Sequence, residues 1–192
     1  MLIKTPYLKK IPQLRAIDIL SRYQKESSFK KTVEPNITPV QFINKIYDNK
    51  QWQDVVEFLC YGLFAKEAIW WGYQCILITE SIYPEEQSRA LKVVHKWLLD
   101  DSESCRRLAE VELEKTGLDH AYGWLLQAVF WSGGSLTPIN QMESLPPPYL
   151  YSSAVAGAIC LAAMLPDENE VAQRYEKFIN LGINIAACSS GS

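Results

Sequence analysis

Apolar residues recur along this chain every three to four positions, which is the spacing of one face of an α-helix. The clearest run, with spacings i, i+3, i+4, i+7, i+8 and i+11, consists of Trp52, Val55, Val56, Leu59, Cys60 and Leu63. No long segment shows the alternation that is typical of half-buried strands. The pattern therefore predicts an all-α fold, either an irregular helical bundle or a short stack of helical hairpins, with about eight to nine helices.

Several helix boundaries are marked by their own residues. Thr38-Pro39-Val40-Gln41 is a capping box with proline at the first helical position, so a helix should begin there. Pro12 should open a short helix with Leu14, Ile17 and Leu20, and a last helix should run from Pro166 to about Leu181. Pro84-Glu85-Glu86 should open a helix whose inward residues are Leu91, Val94, Trp97 and Leu98. A further helix, with Cys105, Leu108, Ala109 and Leu113 inward, should end at Thr116-Gly117.

Three segments are apolar nearly all the way round and should form the centre of the fold, namely residues 65–78, 121–131 and 153–165. Each is shorter than the ~20 residues that a membrane span needs. We expect one helical domain over residues 1–192, with an extended arm at residues 1–11 and a long Gly/Pro loop at residues 132–151.

Composition and charge narrow the range of possible partners and cellular compartments. A formal net charge of -3 gives no basic field for phosphate groups, so nucleic acid is not an expected partner. The five cysteines are widely spaced and lack CxxC pairs, which favours buried thiols in a reducing, cytoplasmic compartment. No apolar segment near the N-terminus is long enough for a signal peptide.

Residues that could carry chemistry are few. The chain has only two histidines, His95 and His120, and no HExxH, CxxC or nucleotide-binding motif. The glycines of Ser132-Gly133-Gly134-Ser135 follow a helix rather than precede one, so a left-handed cap at Gly133 or Gly134 is favoured over a phosphate site. The remaining acid–base candidates are Glu67 with Glu80, and Asp100 with Asp101. We therefore expect no catalytic residue, no metal site and no cofactor.

The segment at residues 132–151 is the most informative one. Structureless connections of about twenty residues are uncommon inside a compact domain, and they are usually functional or packed as Ω-loops. Pro146-Pro147-Pro148-Tyr149 favours a stiff polyproline II conformation. It could serve either as a structural brace or as a docking peptide.

Four stretches together resemble an uncharacterised family of bacterial proteins that carries only a domain-of-unknown-function label. They are Glu67-Ala68-Ile69-Trp70-Trp71, Phe130-Trp131-Ser132-Gly133-Gly134-Ser135-Leu136-Thr137-Pro138, Pro146-Pro147-Pro148 and Ala154-Val155-Ala156-Gly157-Ala158-Ile159. The resemblance implies an accessory protein encoded near type VI secretion components, acting as an effector adaptor or chaperone. It implies no catalytic residues.

We therefore predict a protein-interaction module whose partner is another protein, for instance a secreted effector or a secretion-system component. Its oligomeric state stays open. The predicted partner-binding residues are Trp70, Trp131, Ser132, Gly133, Gly134, Ser135, Pro146, Pro147, Pro148 and Tyr149. Two alternatives are an immunity protein that binds a toxin and an enzyme whose pocket is lined by Trp70, Trp71, Trp124 and Trp131.

Overall fold

The computed structural model describes residues 7–23, 33–79, 85–138, 140–164 and 168–188. Within these ranges the chain forms nine α-helices and one 3-10 helix and contains no strand, which confirms the all-α prediction. The α-helices are α1 Ala16–Leu20, α2 Pro39–Asp48, α3 Trp52–Gly62, α4 Ala65–Thr79, α5 Glu85–Leu99, α6 Glu103–Thr116, α7 Ala121–Phe130, α8 Leu150–Met164 and α9 Val171–Ala187. The 3-10 helix Glu168–Glu170 immediately precedes α9.

The centre of the bundle is α8, which packs against α3, α4, α7 and α9. The start of α7 lies near the end of α8, since Ala121 and Ala162 line the same small cavity, and Trp124 lies against Gly157. Helices α5 and α6 pack on the outer side of α7, and α1 and α2 pack on α3. Buried side chains from all nine α-helices join in one hydrophobic cluster.

The three central helices differ in how completely they are buried. Most side chains of α7 and α8 are buried, as predicted. Helix α4 departs from the prediction, because Trp70 is 38% exposed and Ile78 is 52% exposed, whereas Trp71 is fully buried. One side of α4 borders an open groove towards α5, so its apolar surface is only partly covered.

Trp71 fixes the approach of α9 to α4. Its indole N–H donates to the Phe178 carbonyl at 2.8 Å, which satisfies a polar group that is otherwise enclosed by apolar side chains. Gly182 lies one turn further along α9, and a Cβ atom there would stand 2.5 Å from Cε2 of the indole. Only glycine allows the two helices this close approach.

The predicted capping box is present at the start of α2. The Thr38 hydroxyl accepts from the Gln41 backbone N–H at 3.3 Å, and the Gln41 side chain accepts from the Thr38 backbone N–H at 3.0 Å. The predicted end of α6 is also confirmed, since Gly117 follows Thr116 with a φ of +70°. The predicted start at Pro84 lies outside the described residues, and α5 is described from Glu85 onward.

The start of the first helix was predicted wrongly. Helix α1 begins at Ala16 rather than at Pro12, and Leu14 is 82% exposed. The preceding residue, Arg15, is extended, and the Ala16 N–H donates to the Ile37 carbonyl at 2.9 Å. This bond to the segment before α2 sets where the helix begins.

Two further details differ from the prediction. Leu108 is 41% exposed rather than inward, because α6 turns the side that carries Cys105 and Ala109 towards the core. Helix α9 starts at Val171 and continues to Ala187, beyond the predicted end near residue 181. Its predicted opening at Pro166 lies outside the described residues.

Part of the predicted N-terminal arm packs on the bundle. Residues 1–6 lie outside the described part of the chain, and residues 7–11 are not helical. Leu8 and Ile11 are buried, and the Lys10 N–H donates to the Ala186 carbonyl at the end of α9 at 2.9 Å. Leu8 and Ile11 of the arm therefore belong to the core, whereas Tyr7 is exposed.

The cysteines form no disulfide in this structure. Cys60 and Cys75 are buried, and burial raises the pKa of both thiols well above the ordinary value. Cys188 is exposed. None of the helices in the described ranges combines the length and the apolar character that crossing a membrane would require.

Candidate functional site

The connection between α7 and α8, which we call the 132–149 loop, has an internal structure of its own. The Leu136 N–H donates to the Ser144 carbonyl at 2.7 Å and closes the middle of the loop. The Ser135 hydroxyl accepts from the N–H groups of Thr137 and Ser144, at 3.2 and 3.0 Å. The loop is thus packed on its own polar groups, as Ω-loops are.

The first half of the loop is anchored by Arg106, a buried residue near the start of α6. Its guanidinium donates to the Phe130 carbonyl at 2.7 Å and to the Ser135 carbonyl at 2.9 Å. Its Nε donates to Glu103 at 2.6 Å, and the guanidinium lies 4.9 Å from the centre of the Phe130 ring. The hydrogen bond from Arg106, more than the partial burial that opposes it, lowers the pKa of Glu103.

Arg107 binds the same part of the loop from the neighbouring position. Its Nη2 donates to the carbonyls of Ser135 and Thr137, at 2.9 and 2.7 Å. Its other nitrogens donate to Glu103 at 2.9 Å and Glu110 at 2.8 Å, so its four partners are two carboxylates and two backbone carbonyls. All the loop atoms that the two arginines bind are main-chain carbonyl oxygens.

Gly134 is required where the loop passes over this anchor. Its φ is +63°, and a Cβ there would lie 2.8 Å from the Nε of Arg106 and 2.8 Å from a carboxylate oxygen of Glu103. The prediction that Gly133 or Gly134 caps the preceding helix needs correction, because Trp131 is the C-cap of α7. Gly134 serves instead to bring the loop backbone against the arginine.

The second end of the loop is anchored at Tyr149, which has a φ of +63°, an uncommon conformation for a residue other than glycine. The guanidinium of Arg22 lies over the Tyr149 ring at 4.4 Å and donates to the Tyr61 carbonyl at 2.7 Å. The Tyr151 hydroxyl donates to the Leu63 carbonyl at 3.0 Å, and burial raises the pKa of Tyr151 to about 12. These contacts hold the start of α8 against the end of α3.

Between the two anchors the loop displays apolar side chains. Met142 is 90% exposed and Leu145 is 63% exposed. Pro147 and Pro148 are also exposed, and Pro146 is half-buried. We call Met142 and Leu145 the loop tip. Exposed apolar side chains on a fixed backbone are a common feature of protein-binding surfaces.

The ten predicted partner-binding residues do not form one patch. Nine of them lie in or next to the 132–149 loop, and Trp70 lies in the separate groove between α4 and α5. Four of the loop residues take part in the internal or anchoring contacts, namely Ser132, Gly134, Ser135 and Tyr149. Of the others, Trp131, Gly133 and Pro146 are half-buried, and Pro147 and Pro148 are exposed. Whether any of them binds a partner stays a prediction.

Sequence reasoning missed five residues of this site, namely Arg22, Arg106, Arg107, Met142 and Leu145. Met142 and Leu145 are single apolar residues in a polar stretch, and that contrast is the signal that could have identified them. Arg106 and Arg107 lie about thirty positions from the carbonyls that they bind. No local sequence pattern reveals such a contact.

The histidines occupy ordinary surface positions. Both are exposed, and each stacks on a tyrosine, His95 on Tyr73 and His120 on Tyr122. No group of three or more potential metal-binding side chains occurs among the residues that the structure describes. Neither histidine is placed beside a nucleophile or a carboxylate by any contact seen here.

The candidate carboxylates have structural partners. Glu67 pairs with Lys10 at 3.3 Å, and Glu80 lies outside the described residues. Asp100 accepts from the Ser102 N–H at 3.2 Å just before α6, and Asp101 pairs with Lys66. The three candidate carboxylates that the structure describes are therefore each engaged by a neighbouring polar group.

The four tryptophans of the alternative enzyme pocket do not line a common cavity. Trp71 is buried in the core, Trp124 is half-buried against Gly157, and Trp131 ends α7. The cavity beside Trp70 is lined by none of the other three.

The model of one protein family, described as a family of unknown function (DUF6931), matches residues 42–186. The match begins within α2 and ends within α9, and it includes the whole 132–149 loop. Neither the curated proteins nor the solved structures contain a significant match.

Proposed function

Given that this chain belongs to the DUF6931 family, whose function is unknown, we propose that it is a protein-interaction module that binds its partner through the 132–149 loop. The observation that carries the proposal is the display of Met142 and Leu145 by a loop that is anchored at both ends. A loop held in one conformation loses little conformational entropy on binding, so more of its contact energy appears as affinity.

The anchors and the tip have separate roles in this proposal. Arg106 and Arg107 bind backbone carbonyls on one side, and the contact of Arg22 with Tyr149 holds the other side. The tip side chains face solvent, and burying them in a partner would add the favourable transfer of apolar surface from water.

The biological setting that we propose is that of a bacterial, cytoplasmic accessory protein of type VI secretion, acting as an adaptor or chaperone for an effector. The support is the resemblance of the motif that contains Phe130-Trp131-Ser132-Gly133-Gly134 and of the proline run. An adaptor needs a preformed binding surface more than a catalytic cavity, and the loop has this character.

The proposal is tested by placing a photo-crosslinking amino acid at position 142 or 145 in the native host. Position 164 is the matched control, since Met164 is also an exposed methionine, at 50%, and lies at the opposite end of α8. We expect the same protein to be crosslinked from positions 142 and 145 and not from 164. Equal crosslinking from all three positions, or none from the loop, would contradict the assignment.

A second experiment separates binding from folding. Met142→Ser with Leu145→Ser removes the tip while leaving Tyr149 and both arginines in place. This variant should keep the wild-type circular dichroism spectrum and melting temperature but capture at least tenfold less of the crosslinked partner. If that partner proves to be a toxin, the role is that of an immunity protein rather than an adaptor.

A further inference from the structure

A second surface that could bind a partner lies between α4 and α5. Trp70 stacks on Tyr73 with ring centroids 5.7 Å apart, and Tyr73 stacks on His95 at 5.6 Å. The planes are inclined by only 21° and 23°, so the three rings form a ladder across the two helices. Trp70 is 38% exposed and Leu99 at the end of α5 is 76% exposed.

Two neighbouring cavities, both lined by His95, lie along this ladder, and we call them together the α4/α5 groove. One, of about 320 Å³, includes Trp70 and Leu99. The other, of about 240 Å³, includes Tyr73 and Ser88. Ser88 and Leu99 are eleven residues apart on α5, which corresponds to roughly 16 Å along the helix axis, or three helical turns.

The charge around the groove is mainly positive. Lys10 and Lys66 line one part and Lys92 lines the other, against one carboxylate, Glu67, which already pairs with Lys10 at 3.3 Å. Lys66 also pairs with Asp101, but this ion pair is exposed and therefore weak. Lys92 forms no ion pair with any residue in the described ranges. The groove thus has a charge opposite to that of the chain, whose formal net charge is -3.

The shape of the groove favours a helical partner. Extended peptides usually gain affinity by adding a strand to a sheet edge, and the described part of this chain has no strand. A helix satisfies its own backbone hydrogen bonds, so it can lie in an apolar groove and make contact through side chains at i, i+3 or i+4, and i+7. Acidic side chains beside that apolar stripe would then meet Lys66 and Lys92.

We propose that the α4/α5 groove binds an acidic amphipathic helix of a partner protein, about three turns long, with its apolar stripe on Trp70, Tyr73 and Leu99. The proposal rests on the proposed function as a protein-interaction module, but it uses a surface other than the 132–149 loop. It also gives Trp70 a role that is independent of the other predicted binding residues.

The test uses a displayed library of random 16-residue peptides, selected on the full-length protein and counter-selected on Trp70→Ser. Selected peptides should share apolar residues at helical spacing together with an excess of Asp and Glu. One such peptide, labelled and titrated by fluorescence anisotropy, should bind at least tenfold more weakly to Trp70→Ser. The matched control is Leu108→Ser, because Leu108 is exposed to a similar degree, 41% against 38%, but lies on α6. This control should bind like the wild type.

Reversing the charge at Lys92 tests whether the partner helix is acidic. Lys92→Glu should bind the selected peptide about three- to tenfold more weakly than the wild type does. A peptide with its acidic residues changed to lysine should regain affinity for Lys92→Glu. Selection of basic or non-amphipathic peptides, or equal binding to wild type and Trp70→Ser, would overturn the proposal. So would a dimer of the wild-type protein that dissociates in Trp70→Ser, because the groove would then be covered by a second copy.

The two proposals can fail separately. The variant Met142→Ser with Leu145→Ser should bind the selected peptide normally, because its substitutions lie outside the groove. If that variant keeps the native partner while Trp70→Ser loses it, the loop assignment fails and the groove assignment stands. If Trp70→Ser keeps the native partner while the variant Met142→Ser with Leu145→Ser loses it, the groove assignment fails and the loop assignment stands.

Discussion

Replacing Gly182 by alanine tests the closest helix contact in the fold. In an exposed helix interior this change stabilises a protein by about 1 kcal/mol, because glycine is the poorer helix former. Here the new Cβ would stand 2.5 and 2.6 Å from two carbons of the Trp71 ring. Overpacking of this kind costs about 1–3 kcal/mol.

The indole cannot move away without a further cost. Its N–H donates to the Phe178 carbonyl at 2.8 Å, and breaking that buried bond would leave a donor unsatisfied, at about 1–3 kcal/mol. We therefore expect Gly182→Ala to lower the free energy of unfolding by about 0–2 kcal/mol, which is the overpacking cost less the gain in helix propensity of about 1 kcal/mol. The loss would be about 1–3 kcal/mol larger if the indole bond breaks. Guanidinium unfolding followed by circular dichroism measures this change.

Gly157 provides the matched control in the middle of α8. A Cβ there would lie 3.6 Å from the nearest atoms of Trp124, which is an ordinary van der Waals distance. Gly157→Ala should therefore raise the free energy of unfolding by about 0.5–1 kcal/mol. If Gly182→Ala proved as stable as Gly157→Ala, α9 could not pack against Trp71 as described.

Four other predictions follow from contacts described above. Arg106→Ala should destabilise the fold by about 2–3 kcal/mol and speed amide exchange in the 132–149 loop, because the Phe130 carbonyl loses its charged donor and the Ser135 carbonyl loses one of two; unchanged exchange would exclude this anchor. Glu103 has a lowered pKa in the folded state. Its contribution to the stability of the fold is therefore fully present above the ordinary glutamate pKa and is lost as the pH falls through the lowered pKa. Glu103→Gln should accordingly be less stable than wild type at neutral pH and equally stable in acid, as urea unfolding at several pH values would show. Thr38→Ala should cost about 1 kcal/mol in the same assay. In the native protein Cys188 should react with a thiol reagent while Cys60 should not, and reductant should leave the unfolding midpoint unchanged.

Local signals in the sequence predicted most of the helices. The capping box at Thr38 and the glycine after Thr116 act within a few residues, so the sequence contains all the information needed to place those boundaries. Leu14 was placed in the first helix and Leu108 on an inward face, both wrongly, because helical spacing alone does not show where a helix begins or which of its sides faces the core. The start of α1 depends on a bond to Ile37, twenty-one positions away, and no local pattern predicts it.

The long loop could be predicted from the sequence, but its internal contacts could not. Its length and its proline run identified the segment, whereas the exposure of Trp70 was not expected from a helix that is apolar nearly all the way round. The division into anchors and tip depends on Arg22, Arg106 and Arg107, whose partners are distant in sequence. The brace interpretation therefore applies to the anchoring residues, Tyr149 among them, and the docking interpretation stays a prediction for the loop tip.

The arginine anchor has a consequence for how this family can diversify. Arg106 and Arg107 bind loop carbonyl oxygens, which every amino acid provides, so the anchor does not depend on the identity of the side chains beyond it. Under the proposed function, substitutions at the tip would change which partner is recognised without loss of the fold. Insertions there would cost little stability, since doubling the length of a loop costs only about 0.6 kcal/mol. The bundle can thus act as a common frame for exchangeable tips, and related chains should vary most between Thr137 and Pro148.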